Sequence, residues 1–362
     1  MKQNKNFSEQ LAKIKVLGIG GAGGNIISRM NRAQFRGVEF IAINTDLQDL
    51  LKTAIRTKIH IGRNISRVLG TGMNPELGRQ AAEEARPLIE ENLRGADLVF
   101  LSCGLGGGTG TGATPVIADL CRELGILTVA VVTKPFSFEG KRRSQIAEEG
   151  LAKLKEKVDA YIVIPNDRIF TIIDQETPLY QAFEMIDEIL KQAVKGIADL
   201  IALPGIINVD FADVKAVLQD AGMAIIGLGK ALGENRALEA VKKATNSPLF
   251  EITPQGAKGV LFNIIGGEDL KMSEINEAAR LITEIVDPSA KIIFGATQDA
   301  KLRKGELKIM VVAAGFEGSL KPENHQGLFS DFSSENLETK KAPQPASLEN
   351  LEIPAFLRRK KK

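Results

Sequence analysis

Short apolar runs alternate with longer segments of helical period over the first half of the chain. The runs are rich in Val, Ile and Leu, which is typical of strands buried on both faces, and they cover residues 14–19, 38–44, 98–102, 127–133 and 160–165. Between them the pattern predicts helices that open near Gly24, Asn74, Gly110 and Gly140. This alternation predicts a Rossmann-like parallel sheet with helices on both sides.

One long segment, residues 177–203, then keeps apolar residues at helical spacing for about seven turns. Beyond it, two helical segments, 233–245 and 272–286, alternate with apolar runs at 221–229, 258–266, 290–297 and 306–314. We therefore expect an α/β domain over residues 12–176, a central helix over 177–203, and a second α/β domain over 204–316.

The two ends of the chain lack this periodicity. Residues 1–11 are expected to be a flexible segment, and residues 317–350 are polar and rich in Pro, Ser and Asn, which predicts a disordered linker. Residues 351–362 restore an apolar cluster that includes Ile353, Pro354 and Phe356, followed by five consecutive basic residues. Such a cluster suits a groove on a partner, and a frayed terminus is the alternative.

The composition is that of a globular protein without a large charged surface. The 362 residues suggest two domains and an appendage, since a domain has about 150 residues. The net charge of +2 gives no basic face for nucleic acid, so no nucleic-acid partner is expected. The sequence has neither a signal peptide nor an apolar run of about 18 residues, so we expect a cytoplasmic protein without a membrane span. Cys103 and Cys121 are expected to be buried, reduced thiols.

The first glycine-rich segment, GIGGAGGN at residues 18–25, joins the first predicted strand to a helix. Its glycines would let backbone amides approach a phosphate at the positive end of that helix. The spacing Gly18-x-Gly20-x-x-Gly23 also fits a dinucleotide-binding fingerprint, with Asp46 as the acid that would contact the ribose. A tight turn without a ligand is a third interpretation.

A second glycine-rich segment, GLGGGTGTG at residues 104–112, also lies between a buried strand and a helix. Gly106, Gly107 and Gly108 free successive amides to surround an anion, and Thr109 and Thr111 add hydroxyl donors. A dinucleotide enzyme needs no such second loop, and a flexible linker is the alternative. No G-x-x-x-x-G-K-[ST] motif occurs in the sequence, which excludes Walker-type NTPases.

The GGGTGTG loop resembles the signature of the FtsZ family of bacterial cell-division GTPases, within the tubulin superfamily. Similar FtsZ segments are NTD at residues 44–46, TKPFSFEGKRR at 133–143 and IPND at 164–167. The resemblance extends from about residue 13 to residue 316. It implies a protein that binds and hydrolyses GTP and assembles head to tail into the filaments of the division ring at mid-cell.

The resemblance also implies which residues bind GTP. Those expected to hold the nucleotide are Gly21, Ala22, Gly23, Gly24, Asn25, Gly104, Gly107, Gly108, Thr109, Gly110 and Thr133, with ribose contacts from Glu139 and Arg143. Ala22 departs from an all-glycine form of the first loop, but its methyl group is small. For Glu139 and Arg143 the alternative is a solvated charged loop.

Recognition of guanine is expected at Asp187, because one carboxylate can accept hydrogen bonds from both N1 and N2 of the base. Asn166 would assist. The alternative for Asp187 is a helix-face ion pair with Lys191, four residues further on.

Catalysis is expected from NVDFADV at residues 208–214, which contains Asn208, Asp210 and Asp213. The two acids lie three residues apart at a helix start, where an acidic cap is ordinary. The resemblance instead implies that this loop reaches the nucleotide of the next subunit, where its acids polarise the attacking water. Mg²⁺ is implied by the phosphates and would be completed by water, without a dedicated protein metal site.

The resemblance gives the tail a function as well: residues 351–362 would dock onto membrane-tethering and regulatory division proteins. Three rival interpretations stay open. The chain could be a nicotinamide-dependent enzyme, a structural filament without turnover, or another prokaryotic tubulin relative. The second glycine loop argues against the first rival, the acids at 210 and 213 against the second, and the tail peptide against the third.

Overall fold

A computed structural model describes residues 12–33, 35–65, 70–174, 176–203, 205–246, 254–299 and 302–316. The predicted N-terminal segment, linker and tail peptide lie outside the described residues. The fold is a mixed α/β architecture, as the alternating pattern predicts.

The first half of the chain forms a parallel sheet. Its strands are β1 (Ile14–Ile19), β2 (Val38–Asn44), β3 (Thr57–His60), β4 (Leu98–Gly104), β5 (Leu127–Lys134) and β6 (Ala160–Pro165). They are hydrogen-bonded in the order β3-β2-β1-β4-β5-β6, all parallel. The chain thus runs outward in both directions from the β1–β4 pair, and such a reversal of strand order leaves a crevice at the carboxyl ends of the strands.

Helices cover both faces of this sheet. They are α1 (Gly20–Arg32), α2 (Leu47–Lys52), α3 (Pro75–Glu84), α4 (Arg86–Leu93), α5 (Gly108–Glu123) and α6 (Lys141–Lys155), with 3₁₀ turns at Ser137–Glu139 and Asn166–Thr171. Ile27 of α1 belongs to a core on one face, and Ile117 of α5 belongs to a core on the other. Helices α1 and α5 therefore flank the crevice from opposite sides of the sheet.

The second half begins with the long helix and ends in a mixed sheet. Its elements are α7 (Leu179–Ala202), α8 (Phe211–Leu218), β7 (Gly222–Leu232), α9 (Arg236–Thr245), β8 (Ala257–Gly266), α10 (Met272–Ile285), β9 (Lys291–Gln298) and β10 (Glu306–Phe316). The strand order continues β7-β10-β8-β9, and a two-residue parallel pairing links β6 to β7. Leu190 and Val194 of α7 share one buried cluster with residues of both halves, so this helix packs against both.

The predicted elements are present, with corrections at their ends. The first helix begins at Gly20 rather than near Gly24, and the helix expected near Gly110 begins at Gly108. The prediction places these glycines in loops because glycine is unfavourable inside helices, but in the structure they form the first turns of both helices. The short elements α2, β3 and α4 are absent from the prediction. Cys103 and Cys121 are buried and free, and burial raises the pKa of their thiols to about 11 and about 12.

Candidate functional site

Two helix N-termini meet at the crevice between β1 and β4. Helix α1 follows β1 directly at Gly20, and α5 begins four residues after β4 ends. Within the described part of the chain, neither helix has a side-chain hydrogen bond capping its first turn. Because the first amides of a helix lack intrahelical partners and carry partial positive charge, this arrangement favours an anion.

Glycine allows the two helix starts to approach each other closely. Gly20 has a φ of +73°, and a Cβ there would stand 3.0 Å from the amide nitrogen of Gly110. A Cβ on Gly108 would stand 2.1 Å from the Oγ1 of Thr71, whereas one on Gly107 would meet nothing within 4 Å. The backbone at Gly108 is therefore packed against the Thr71 segment, and Gly107 faces open space.

The predicted residues of the first loop lie in the first two turns of α1. Gly23 and Gly24 are buried, whereas Ala22 and Asn25 are exposed and line the cavity described below. The methyl group of Ala22 fits because Gly104 has no side chain: a Cβ on Gly104 would stand 2.8 Å from the Cβ of Ala22. The second loop thus makes room for the one alanine in the first.

The threonines of the second loop hold that loop in shape. The Oγ1 of Thr109 lies 2.6 Å from the Oγ1 of Thr45 and 3.2 Å from that of Thr71. The Oγ1 of Thr111 accepts a hydrogen bond of 2.9 Å from the amide of Gly106. Both hydroxyls therefore make contacts within the protein that hold the second loop.

A cavity of about 510 Å³ opens beside the helix starts, within the size range of small-molecule sites. It brings together eight of the predicted ligand residues, namely Ala22, Asn25, Gly104, Thr133, Glu139, Arg143, Asn166 and Asp187. These positions span five separate parts of the chain. The cavity also contains residues that the sequence did not single out, and these include Arg29, Tyr180 and Phe183.

Glu139 and Arg143 form an ion pair at the mouth of this cavity, with 2.9 Å between Oε2 and Nη1. Glu139 also accepts a 2.8 Å hydrogen bond from the amide of Phe136 through Oε1. The Nε of Arg143 and the Oδ1 of Asn166 are buried and have no hydrogen-bond partner among the described residues. Buried polar atoms are usually paired, so these two indicate that the cavity holds a ligand.

Asp187 lies on α7 and forms an ion pair with Arg29 of α1. The alternative partner, Lys191, instead pairs with Glu188. Burial raises the pKa of the Asp187 carboxyl to about 6; the positive charge of Arg29 opposes this shift and the negative charge of Glu184 adds to it. The carboxylate is thus poised to gain from a ligand that donates hydrogen bonds to it.

Helical spacing in the sequence could have revealed the additional cavity residues. Arg29 lies four residues after Asn25, so the two share a face of α1. Tyr180, Phe183 and Asp187 lie at positions i, i+3 and i+7 of α7, which also form one face. In the structure, the guanidinium of Arg29 stands 5.5 Å from the ring centre of Tyr180.

The predicted catalytic residues lie at the start of α8, with Asn208 and Asp210 before the helix and Asp213 in its first turn. The Oδ1 of Asp210 accepts a 2.8 Å hydrogen bond from the amide of Asp213 and caps the helix, as helix-start chemistry predicts. The Oδ1 of Asn208 accepts a 2.6 Å hydrogen bond from the amide of Gly205. The side chains of Asn208 and Asp210 are exposed and that of Asp213 is half-buried.

This loop is attached to the far end of the sheet. The amides of Ile206 and Ile207 both donate to the carbonyl of Ala296 in β9, and β9 ends the strand order that has β1 and β4 near its beginning. None of Asn208, Asp210 and Asp213 lines the cavity. The structure therefore does not bring the predicted catalytic residues and the predicted nucleotide-binding residues together within one chain.

The described residues contain no group of three or more His, Cys, Asp or Glu side chains that could hold a metal ion. The carboxylate of Asp49 lies beside the first glycine segment, since a Cβ on Gly21 would stand 2.9 Å from its Oδ2. One carboxylate with phosphates and water suffices for Mg²⁺, so the residues present fit an ion carried by a phosphate ligand. No helix within the described ranges is long and apolar enough to cross a membrane.

Two family models match the chain. The model for the Tubulin/FtsZ family, GTPase domain, matches residues 13–174, and that for the FtsZ family, C-terminal domain, matches residues 222–317. The structure of an empty FtsZ dimer from M. jannaschii is 46% identical, with a TM-score of 0.80, and the match covers 85% of this chain and 90% of that one. A point mutant of that FtsZ is also 46% identical, with a TM-score of 0.81 and coverage of 86% and 93%.

A more distant neighbour is a CetZ protein from Haloferax volcanii, solved as a protofilament with GTPγS bound. It is 23% identical, with a TM-score of 0.73 and coverage of 85% and 94%, and this likeness shows the fold alone. The family models and the 46% identity to FtsZ over most of both chains agree with the paired glycine loops and the cavity beside them. The chain therefore belongs to the tubulin/FtsZ family and is a GTPase of that family.

Proposed function

We propose that this GTPase polymerises head to tail and hydrolyses GTP at the junction between two subunits. The observation that carries the proposal is the separation within one chain of the cavity from Asn208, Asp210 and Asp213. The acidic loop attached to β9 and the cavity beside β1 and β4 would form the two sides of a repeating contact. The similar FtsZ of M. jannaschii, solved as a dimer, supports self-association.

In this proposal the triphosphate lies against the N-termini of α1 and α5. The amides around Gly21, Gly23 and Gly24, together with those around Gly107, Gly108 and Gly110, donate to the phosphate oxygens. Glu139 and Arg143 contact the ribose, and the unpartnered Oδ1 of Asn166 accepts a hydrogen bond from the nucleoside. Mg²⁺, held by phosphate oxygens and water near Asp49, would neutralise phosphate charge when bound.

Guanine is read by Asp187, whose carboxylate accepts hydrogen bonds from N1 and N2. Adenine has an unprotonated N1 and no amino group at C2, so it offers no such pair of donors. Two charge-assisted hydrogen bonds contribute about 1.5–3 kcal/mol each, which is enough to separate GTP from ATP by several orders of magnitude. Burial raises the pKa of Asp187 in spite of the nearby positive charge of Arg29, which supports a ligand that donates hydrogen bonds to this carboxylate.

The acids of the next subunit then act on the attacking water. A carboxylate at position 210 or 213 accepts a proton from that water or orients it toward the terminal phosphate, and Asn208 helps to hold the loop. Since the acids arrive only with the neighbour, hydrolysis follows assembly. Conversion to GDP then weakens the same contact, because the nucleotide is part of it.

The test is phosphate release per molecule measured over a range of protein concentrations, with sedimentation on the same samples. We expect specific activity to be low in dilute solution and to rise above an assembly threshold. A self-contained enzyme would show constant specific activity. A structural filament would sediment with GTP but release no phosphate. Either outcome would exclude hydrolysis at a shared site.

The cellular part of the proposal is a division ring at mid-cell in a bacterial cytoplasm. It is supported by the match to FtsZ, over both the GTPase and the C-terminal domains. Residues 351–362 would dock onto membrane-tethering and regulatory division proteins, with the basic run meeting an acidic surface. A chain ending at Phe316 should still hydrolyse GTP but should no longer be recruited to membranes that carry such partners.

A further inference from the structure

The wall of the cavity contains a paired cation and anion whose combined chemistry exceeds that of Asp187 alone. Arg29 and Asp187 are 158 positions apart in sequence and are joined through Nη1 and Oδ2. Both side chains are largely buried, with 29% and 14% of their surfaces exposed. Both also line the cavity. The guanidinium is therefore fixed directly beside the carboxylate that is proposed to read the base.

The order of hydrogen-bonding groups in this pair matches one base edge. A carboxylate presents two acceptors side by side, and the guanidinium next to it presents a donor. Guanine presents N2 and N1 as donors and O6 as an acceptor, in that order along one edge. Cytosine pairs with guanine through the same acceptor, acceptor and donor pattern. We propose that Arg29 donates a hydrogen bond to O6 of guanine while Asp187 accepts from N1 and N2.

Several contacts hold the guanidinium in place for this role. Its ion pair with Asp187 fixes one edge, and the ring of Tyr180 stands 5.5 Å from its central carbon. Cation–π contact of this kind attracts the guanidinium to the face of the ring. An arginine that is already ordered loses less conformational entropy when it binds a ligand. Arg29 therefore has the position of a specificity-determining residue.

This inference rests on the proposed binding of guanine at Asp187. The experiment below tests the role of Arg29 separately from that of Asp187. Affinities are measured by displacement of a fluorescent GTP analogue from the full-length protein, below its assembly threshold. Three competitors report on different atoms. GTP has every group, ITP lacks the amino group at C2, and 6-thio-GTP keeps both donors but replaces O6 with sulfur, which is a weak acceptor.

The parent protein should bind GTP about tenfold to a hundredfold more tightly than 6-thio-GTP. A hydrogen bond from a charged donor typically changes affinity by a factor of this size. Arg29→Met, which keeps an unbranched apolar stem but removes the guanidinium donors, should reduce this ratio to about one. It should leave the ratio of GTP to ITP affinity high. Arg29→Lys, which retains one cationic donor without the fork of arginine, should fall between them.

Other outcomes overturn the inference. If Arg29→Met weakens GTP and 6-thio-GTP by the same factor, their ratio is unchanged and Arg29 only orients Asp187. If Arg29→Met changes neither affinity, O6 is read by another donor such as Asn25, and if the ratio is near one in the parent, O6 is read by no donor. The proposed function fails separately if Asp187→Ala keeps the parent's preference for GTP over ITP, because guanine is then read elsewhere.

Discussion

At the scale of single residues, Asp187 shows a conflict between stability and binding. Its folded pKa is raised above the ordinary value of a carboxyl, so its contribution to stability is full at low pH and is lost as the pH rises through about 6. At neutral pH the carboxylate is charged in a place that disfavours the charge. In the proposed site, a guanine that donates two hydrogen bonds would remove this penalty, so the unfavourable burial of Asp187 would contribute to affinity for the ligand.

The preference for GTP over ATP should therefore depend on pH. In the proposed site guanine needs the ionised carboxylate, so the ratio of the two affinities should be constant above pH 7 and fall below about pH 6, by up to about tenfold per pH unit. The ratio is measured because both nucleotides share the titration of their phosphates. Asp187→Asn cannot titrate, and its ratio should be low and independent of pH.

Other charged groups near Asp187 could also make the preference for GTP depend on pH. Those close to it or lining the two clefts on either side are Arg29, Arg32, Glu139, Arg143, Glu184, Glu188 and Lys191. If Asp187→Asn still lost its preference for GTP on acidification, one of the three glutamates would be the titrating group. The assignment of the pH dependence to Asp187 would then be wrong.

Two neighbouring glycines provide a matched test of packing at the helix start. Gly108→Ala places a methyl group 2.1 Å from the Oγ1 of Thr71 and 2.8 Å from the amide nitrogen of Asn74. Something must shift, and overpacking of this kind costs about 1–3 kcal/mol. Gly107→Ala has open space and an extended backbone with a φ of −89°, so its stability should be close to that of the parent.

Thermal unfolding of the three proteins without nucleotide gives the comparison. We expect the midpoint of Gly108→Ala to fall by several degrees and that of Gly107→Ala to change little. Equal midpoints for the two variants would mean that the Thr71 segment moves aside freely. In that case the second glycine loop would not be held by packing.

At the scale of elements, the sequence predicts the long and buried ones best. Strands β1, β2 and β6 begin and end where the apolar runs do, because apolar side chains that are buried or half-buried fill most positions of each strand. The strand β3 (TKIH) and the helices α2 and α4 have four to eight residues, too few to establish a period. Long-range pairs such as Arg29 with Asp187 leave no periodic signal at all.

The start of α8 shows how one residue can have a structural and a chemical role. Asp210 caps the helix with its Oδ1 and is also a proposed catalytic acid. Asp210→Ala should lose both roles, at about 0.5–2 kcal/mol for the cap. Asp210→Asn keeps an oxygen that can cap the helix but loses the charge, so it should unfold close to the parent temperature.

Phosphate release then reports on the second role. If the carboxylate acts on water, Asp210→Asn should be as slow as Asp210→Ala, about 10²–10⁴ below the parent. Should Asp210→Asn retain parental turnover while Asp210→Ala does not, the residue is needed for the helix start alone. Asp213 would then be the better candidate for the chemistry.

At the scale of the whole molecule, the strand order separates the cavity from the acidic loop. The cavity lies beside β1 and β4, the acidic loop is tied to β9, and α7 packs against both halves of the chain. In this arrangement the predicted catalytic acids do not line the cavity of their own chain. The sequence contains both motifs, but their separation follows from the topology, which motifs alone do not give.

Mixing two inactive variants should therefore restore hydrolysis. Asp213→Asn has an intact cavity but lacks one acid, and Asp187→Ala has the acids but binds GTP weakly. At a GTP concentration that fills the first variant and leaves the second empty, each alone should be slow. In the mixture, an Asp187→Ala subunit can dock its Asp213 onto GTP held by an Asp213→Asn neighbour. Phosphate release should exceed the sum of the separate rates and be highest near equal amounts.

The double variant, Asp187→Ala with Asp213→Asn, is the control for this experiment. Like Asp187→Ala it binds GTP weakly, but it has no aspartate at position 213. Adding it to Asp213→Asn should therefore not increase phosphate release. If it restores activity as well as Asp187→Ala does, the gain comes from assembly alone rather than from an acid supplied across the contact. If neither partner restores activity while both enter filaments, each subunit must use its own Asp213, and hydrolysis at a shared site is excluded.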